Sequence, residues 1–137
     1  LKEAAATGLW DIKRVRGGLI ELEFIAQALQ LVHGASDPRL FDTNTIAAFG
    51  NLQDRGILSA GQGSLLRNAA ILYHRLTQVL RLCLTGDYVP ASSPSGLNRI
   101  VAGAAACADV AMVESLLADT QSAVARAFDA IIGNPSG

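Results

Sequence analysis

Apolar residues recur at helical spacing through most of the chain. At 100° per residue, Leu19, Leu22, Ile25, Ala26, Leu29 and Val32, joined by Ile20, Phe24 and Leu31, fill a wide arc of one helix. An arc that wide faces more than one neighbour. Gly34 and Pro38 end this helix and open a loop. A second, shorter helix is predicted from Thr45 to Arg55, with Thr43 or Asn44 as its cap and Ile46, Phe49 and Leu52 as its inner face. Gly56 followed by Ile57 suits a Schellman stop. Ser59 and Gln62 fit a capping box, so a third helix starts there. Its seam, Leu65/Leu66, Ala69, Leu72/Tyr73, Leu76, Val79/Leu80 and Cys83, steps by three and four, the strongest helical signal in the chain.

Thr85 to Gly96, with Gly86, Pro90, Pro94 and three serines, reads as a long surface loop. Leu97 to Ala108 is Ala-rich and predicts a short helix. Asp109 can cap a final helix whose apolar positions Val110, Val113, Leu117, Val124, Phe128 and Ile131 run to Gly133, where Asn134 and Pro135 stop it. Only the brief Leu9 to Val15 segment carries a competing strand period. The pattern predicts an all-α antiparallel bundle of four to five helices over residues 19–137, entered by a short extended N-terminal connector over 1–18.

Composition narrows the function class without naming one. With 137 residues, 50% hydrophobic and 17% charged, the chain suits one globular domain that removes about two-thirds of its unfolded surface from water. A net charge of -1 argues against a nucleic-acid surface, which needs an excess of Lys and Arg. No uninterrupted run of about 18 apolar residues predicts a membrane span. Cys83 and Cys107 lie in apolar stretches away from any zinc-like spacing and read as small core residues. The chain opens on Leu1 and lacks a basic-then-apolar leader, so it reads as an internal piece of a cytoplasmic protein.

The densest polar information runs from Asp11 to Phe24. Lys13, Arg14 and Arg16 against Asp11 leave two net positive charges just before Gly17-Gly18, which open a helix. That arrangement can bind an anion through free amides and the positive helix end, or simply be a hinge with solvated basic side chains. Glu21, about 200° round from Leu19, falls inside the apolar arc, where it can cap free amides or pair with Lys13 or Arg16. Glu23 falls on the opposite side with Gln27 and Gln30, on a solvated face or one meant for another domain. Residues two apart on a helix point about 160° apart, so Glu21 and Glu23 cannot share one Mg²⁺. The chain has no Asp-x-Asp, no P-loop and no Gly-x-Ser-x-Gly elbow, and His33 and His74 are isolated. No catalytic residue and no metal ligand is therefore assigned within it. Arg67, His74, Arg75, Gln78 and Arg81 form one stripe of the third helix, a solvated or domain-facing side and not a DNA-reading one.

Asp11-Ile12-Lys13, then Arg16-Gly17-Gly18-Leu19, then Glu21-Leu22-Glu23-Phe24-Ile25-Ala26-Gln27 resembles a motif of the glutamine synthetase adenylyltransferases, with Glu21 where Asp is usual and Leu22 where Ile is usual. Asn44-Thr45, Leu52, Gly56-Ile57-Leu58 and Leu97-Asn98-Arg99 through Asp109, Glu114 and Leu117 look like the helical region at the C-terminal end of those enzymes. In that family the motif marks the crossing from a nucleotidyltransferase domain to the helical domain that follows it. The resemblance implies a helical accessory domain of a bifunctional nucleotidyltransferase that moves AMP from ATP to a tyrosine of glutamine synthetase and removes it again, in nitrogen regulation. ATP and Mg²⁺ would be held mainly by the missing catalytic domain, leaving the isolated chain inactive. Glutamine synthetase and the PII signal protein are the implied partners. Lys13, Arg16, Gly17, Gly18, Glu21 and Glu23 are the candidates for a role at the cleft or hinge. Lys13 and Arg16 would approach the triphosphate, Gly17 and Gly18 would allow close backbone approach, and Glu21 would fix their orientation. The alternative is a non-enzymatic interaction module that docks PII or glutamine synthetase.

Overall fold

The computed structural model describes residues 8–34, 44–82 and 87–133, and these form an all-α bundle. Five α-helices follow in order: α1 (Leu19–Gly34), α2 (Thr45–Asp54), α3 (Ala60–Leu80), α4 (Ser95–Ala104) and α5 (Val110–Ile131), with a 3₁₀ turn at Pro90–Ser92. The helix ends lie close to where the sequence signals place them. Asn44, not Thr43, caps α2 by accepting from the Ala47 amide. At the other end of α2, Gly56 N donates to Gln53 O and Ile57 N to Leu52 O, the paired bonds of a Schellman motif. Ser59 and Gln62 satisfy each other's backbone amides as a capping box, and Asp109 accepts from the Met112 amide to start α5.

Helix α3, the one with the strongest period, touches each of the other four helices. Its Leu66, Tyr73 and Leu76 are fully buried against Leu22 and Ile25 of α1, Phe49 and Leu52 of α2, Val101 of α4 and Val113, Leu117 and Val124 of α5. Burial of this kind contributes about 1.5–3 kcal/mol per large apolar side chain, which orders a bundle without disulfide or metal.

Four details differ from the sequence expectation. The buried arc of α1 is narrower than its apolar arc: Leu22, Ile25 and Ala26 are buried, whereas Ile20, Phe24, Leu31 and Val32 stay 51–73% exposed. Gln30 is buried and not on the outer face with the exposed Glu23 and Gln27, because it falls within about 40° of Ala26, whose carbonyl its amide reaches at 3.2 Å. The Thr85 to Gly96 stretch is not all surface: Tyr88 is buried, edge-on to Trp10 with ring centroids 4.7 Å apart, and Pro90 sets the following 3₁₀ turn. Helix α4 starts at Ser95 and stops at Ala104, short of Ala108, because Ala106 turns into the left-handed region (φ 56°) and Cys107 N closes back on Ala102 O. Cys107 is half-buried and packs against the core. Cys83, the helix-forming Leu1 to Ala6, Pro38 and the Asn134-Pro135 stop lie outside the described residues.

Candidate functional site: a clasp between the connector and the last helix

Residues 8–18 are not the extended stretch that the sequence pattern predicts but a chain of hydrogen-bonded turns, amides closing on carbonyls three or four residues back, that locks onto the bundle. Asp11 O accepts from the amides of Arg14 and Val15, and Ile12 O and Lys13 O accept from Leu19 and Ile20, so the turns run directly into the first residues of α1. Ile12 is buried in the core. Trp10 Nε1 donates to Glu114 Oε2 at 2.9 Å, and the Gln121 amide donates to Leu9 O at 2.9 Å, both from α5.

At Gly17 and Gly18 the backbones themselves meet. Gly17 sits at φ 76°, and a Cβ there would lie 1.8 Å from the Gln121 carbonyl oxygen; one on Gly18 would lie 2.2 Å from Ile12 O. Both positions therefore require glycine, the first for its conformation and its clearance, the second for clearance alone. The Gly17 carbonyl accepts from Tyr73 Oη at 2.6 Å, and burial pushes the Tyr73 phenol well above its ordinary value, keeping it a donor. The Gly17 amide donates to Glu21 Oε1 at 2.7 Å.

Glu21 is the third residue of α1, so its carboxylate turns back over the positive helix end and accepts from an amide there. It also accepts from Arg16 Nε, with 3.1 Å to each oxygen. Arg16 continues across to α5: Nη2 donates to Ala125 O at 3.1 Å and to Asp129 Oδ1, and the guanidinium lies 5.7 Å from the centroid of the Phe128 ring. Asp129 first and Glu21 second hold Arg16 even more firmly protonated than usual. Cationic charge near the last turns of α5 is also favoured by that helix's dipole.

Of the sequence-singled residues, Arg16, Gly17, Gly18 and Glu21 come together in this clasp. Lys13 does not: Arg16, not Lys13, is the partner of Glu21, and Lys13 stays exposed with Arg14. Glu23 is exposed and shares none of the clasp contacts, as the divergence of the two side chains predicts. The sequence reading missed Asp129 and Gln121, and it named Glu114 only within the family resemblance, without its bond to Trp10. Gln121 carried a usable signal: it lies four residues beyond Leu117 and three before Val124, on the apolar seam of α5, where a polar side chain needs a buried partner. Among the described residues no group of three or more His, Cys, Asp or Glu side chains is placed to hold a metal ion, and no helix is long and apolar enough to cross a membrane.

The clasp coincides with the most distinctive stretch of the sequence, and comparison with known proteins places that stretch. The chain is 38% identical to the bifunctional glutamine synthetase adenylyltransferase/adenylyl-removing enzyme of Bradyrhizobium diazoefficiens over 98% of its own length and 14% of that enzyme's. It is 36% identical to the same-named enzyme of Rhodopseudomonas palustris (strain BisB5), over 98% of this chain and 14% of the relative. The Xanthobacter autotrophicus enzyme of that name shows 35% identity over 90% of this chain and 12% of the relative. The chain thus spans about one-seventh of the curated relatives it matches. No solved structure matches. The family model of the GlnD PII-uridylyltransferases matches residues 3–88, more than half of the chain and the whole of the connector side of the clasp, and the chain belongs to that family.

Proposed function

We propose that this chain is a helical accessory module of a bifunctional nucleotidyltransferase that adenylylates and deadenylylates glutamine synthetase. Its connector joins it rigidly to the domain that does the chemistry. The observation that carries this is the clasp: three hydrogen bonds tie Arg16, Gly17 and Glu21 to one another, and three more fix Arg16 to α5 and Gly17 to Tyr73, which a joint meant to swing would not make. Relatives named for that activity contain the module as 12–14% of their length, which supports the same reading.

Phosphoryl and nucleotidyl transfer depend mainly on positioning and on neutralising developing charge, so a fixed wall beside the cleft has catalytic value without supplying a nucleophile. Arg16 is compensated by two carboxylates and acts as a positioning residue. Lys13, exposed and outside the Arg16 ion pairs with its carbonyl tied to Ile20 N, is the cation assigned to approach the triphosphate. ATP and Mg²⁺ are assigned to the rest of the enzyme on the family resemblance alone, and the residues of this chain are given only positioning roles.

Exposed Ile20, Phe24, Leu31 and Val32 favour a second reading, a non-enzymatic module that docks PII or glutamine synthetase. One experiment separates the two. In the full-length cytoplasmic enzyme carrying this module, Lys13→Ala should lower AMP transfer at limiting ATP, and Arg16→Ala should lower it with unchanged far-UV circular dichroism. Unaltered turnover in both variants, with glutamine synthetase or PII still binding the isolated chain, would establish the docking reading instead.

A further inference from the structure

Helix α5 holds the connector at two levels, and the clasp around Arg16 is only one of them. The other is Trp10, the single tryptophan of the chain, half-buried near the start of the described connector. Its indole N–H donates to Glu114 Oε2 at 2.9 Å, and one residue earlier Leu9 O accepts from the buried Gln121 amide at 2.9 Å. The ring stands edge-on to buried Tyr88, which is itself fixed: Tyr88 Oη donates to Asn98 Oδ1, and Asn98 Nδ2 donates to Pro90 O at 3.0 Å.

At 100° per residue, Glu114, Gln121, Ala125 and Asp129 fall within about 80° of one another, so a single face of α5 meets the connector. Glu114 lies three helical turns, about 16 Å, from Ala125, the nearest α5 group that Arg16 bonds. One fixed point leaves the connector free to change direction about it, and a second point this far away removes that freedom. We propose that Trp10, bonded to Glu114, is a positioning residue for AMP transfer: it sets the direction in which the connector meets the domain that does the chemistry. The inference rests on the accessory role proposed above and adds to it a residue outside the Arg16 clasp. Misplacing reacting groups by about 1 Å costs up to about 100-fold in rate, so the loss of one anchor is read in kcat and not in ATP affinity.

The test compares variants of the full-length enzyme carrying this module, each shown by urea unfolding to be fully folded under assay conditions. Trp10→Phe keeps a ring against Tyr88 but loses the donor, and Glu114→Ala loses the acceptor. Each should lower kcat for AMP transfer about tenfold at unchanged KM for ATP, and the double variant should fall no further, because both changes remove one bond. Glu114→Gln, whose side-chain carbonyl accepts the same bond, should keep the wild-type rate. In the 137-residue chain, emission of the single tryptophan should move to the red in Glu114→Ala and stay in place in Glu114→Gln. Unchanged kcat in Trp10→Phe and Glu114→Ala, beside a lowered one in Arg16→Ala, would overturn the role of Trp10 and leave the accessory reading standing. If Arg16→Ala and Lys13→Ala are unchanged too, the accessory reading falls with it. Additive losses, or a loss that Glu114→Gln shares, would give the effect to packing or charge and also overturn the proposal.

Discussion

Replacing Gly17 by alanine attacks the clasp at its tightest point. An L-residue held at φ 76° costs about 1–2 kcal/mol by conformation alone. The new methyl would also sit 1.8 Å from Gln121 O, a backbone atom of α5 that cannot rotate away, so connector and helix must part. Parting them stretches the bonds from Tyr73 Oη to Gly17 O and from Gly17 N to Glu21, and a buried polar group left unpaired costs about 1–3 kcal/mol. These two costs come to about 2–5 kcal/mol before the overlap with Gln121 O is counted, a large share of the 5–15 kcal/mol that stabilises an ordinary domain. Gly56 supplies the control, because it has nearly the same φ, 75°, with nothing within 4 Å of its added Cβ. Gly56→Ala should therefore cost about 1 kcal/mol, the strain less the gain from a stiffer unfolded chain. Urea unfolding followed by far-UV circular dichroism measures both. If Gly17→Ala falls within about 1 kcal/mol of Gly56→Ala, the close backbone contact does not hold the connector to α5.

Two further outcomes follow from single positions. Tyr73 has its phenol pushed above the ordinary value of 10.0 by burial, so its contribution is complete below pH 10 and is lost as pH rises through that value toward the folded one. Stability of the wild type should fall by up to about 1.4 kcal/mol per pH unit above pH 10 on this account, a slope that Tyr73→Phe should remove while lowering stability at neutral pH. Ala106 occupies the left-handed position that ends α4, where glycine is the usual residue. Ala106→Gly should raise the unfolding free energy by up to about 1 kcal/mol, and a loss of stability would show that the strain is absent.

Much of the fold was legible because local chemistry and period agreed. Ser59 with Gln62, Asn44, Asp109 and Gly56-Ile57 each mark a helix end by satisfying backbone groups nearby in sequence, which spacing reveals. Glu21 was readable for the same reason, as a carboxylate at the start of a helix facing the wrong way for solvent. The partners that make the clasp were not. Arg16 meets Asp129 across 113 residues and Trp10 meets Glu114 across 104, and nothing in either segment encodes the other. The arc of α1 shows the complementary limit. Period gives the width of an apolar surface but not how much of it this bundle covers, so Leu22 and Leu31 look alike in sequence while one is buried and the other 68% exposed.

In the proposed function these helices serve an AMP-transferring enzyme without performing the transfer. Incubating the purified 137-residue chain with ATP labelled in its α-phosphate, magnesium and glutamine synthetase, beside the full-length enzyme, tests it directly. The full-length enzyme should label glutamine synthetase and the chain alone should not; magnesium-dependent labelling by the chain alone would show that it carries a catalytic site of its own and refute the accessory role.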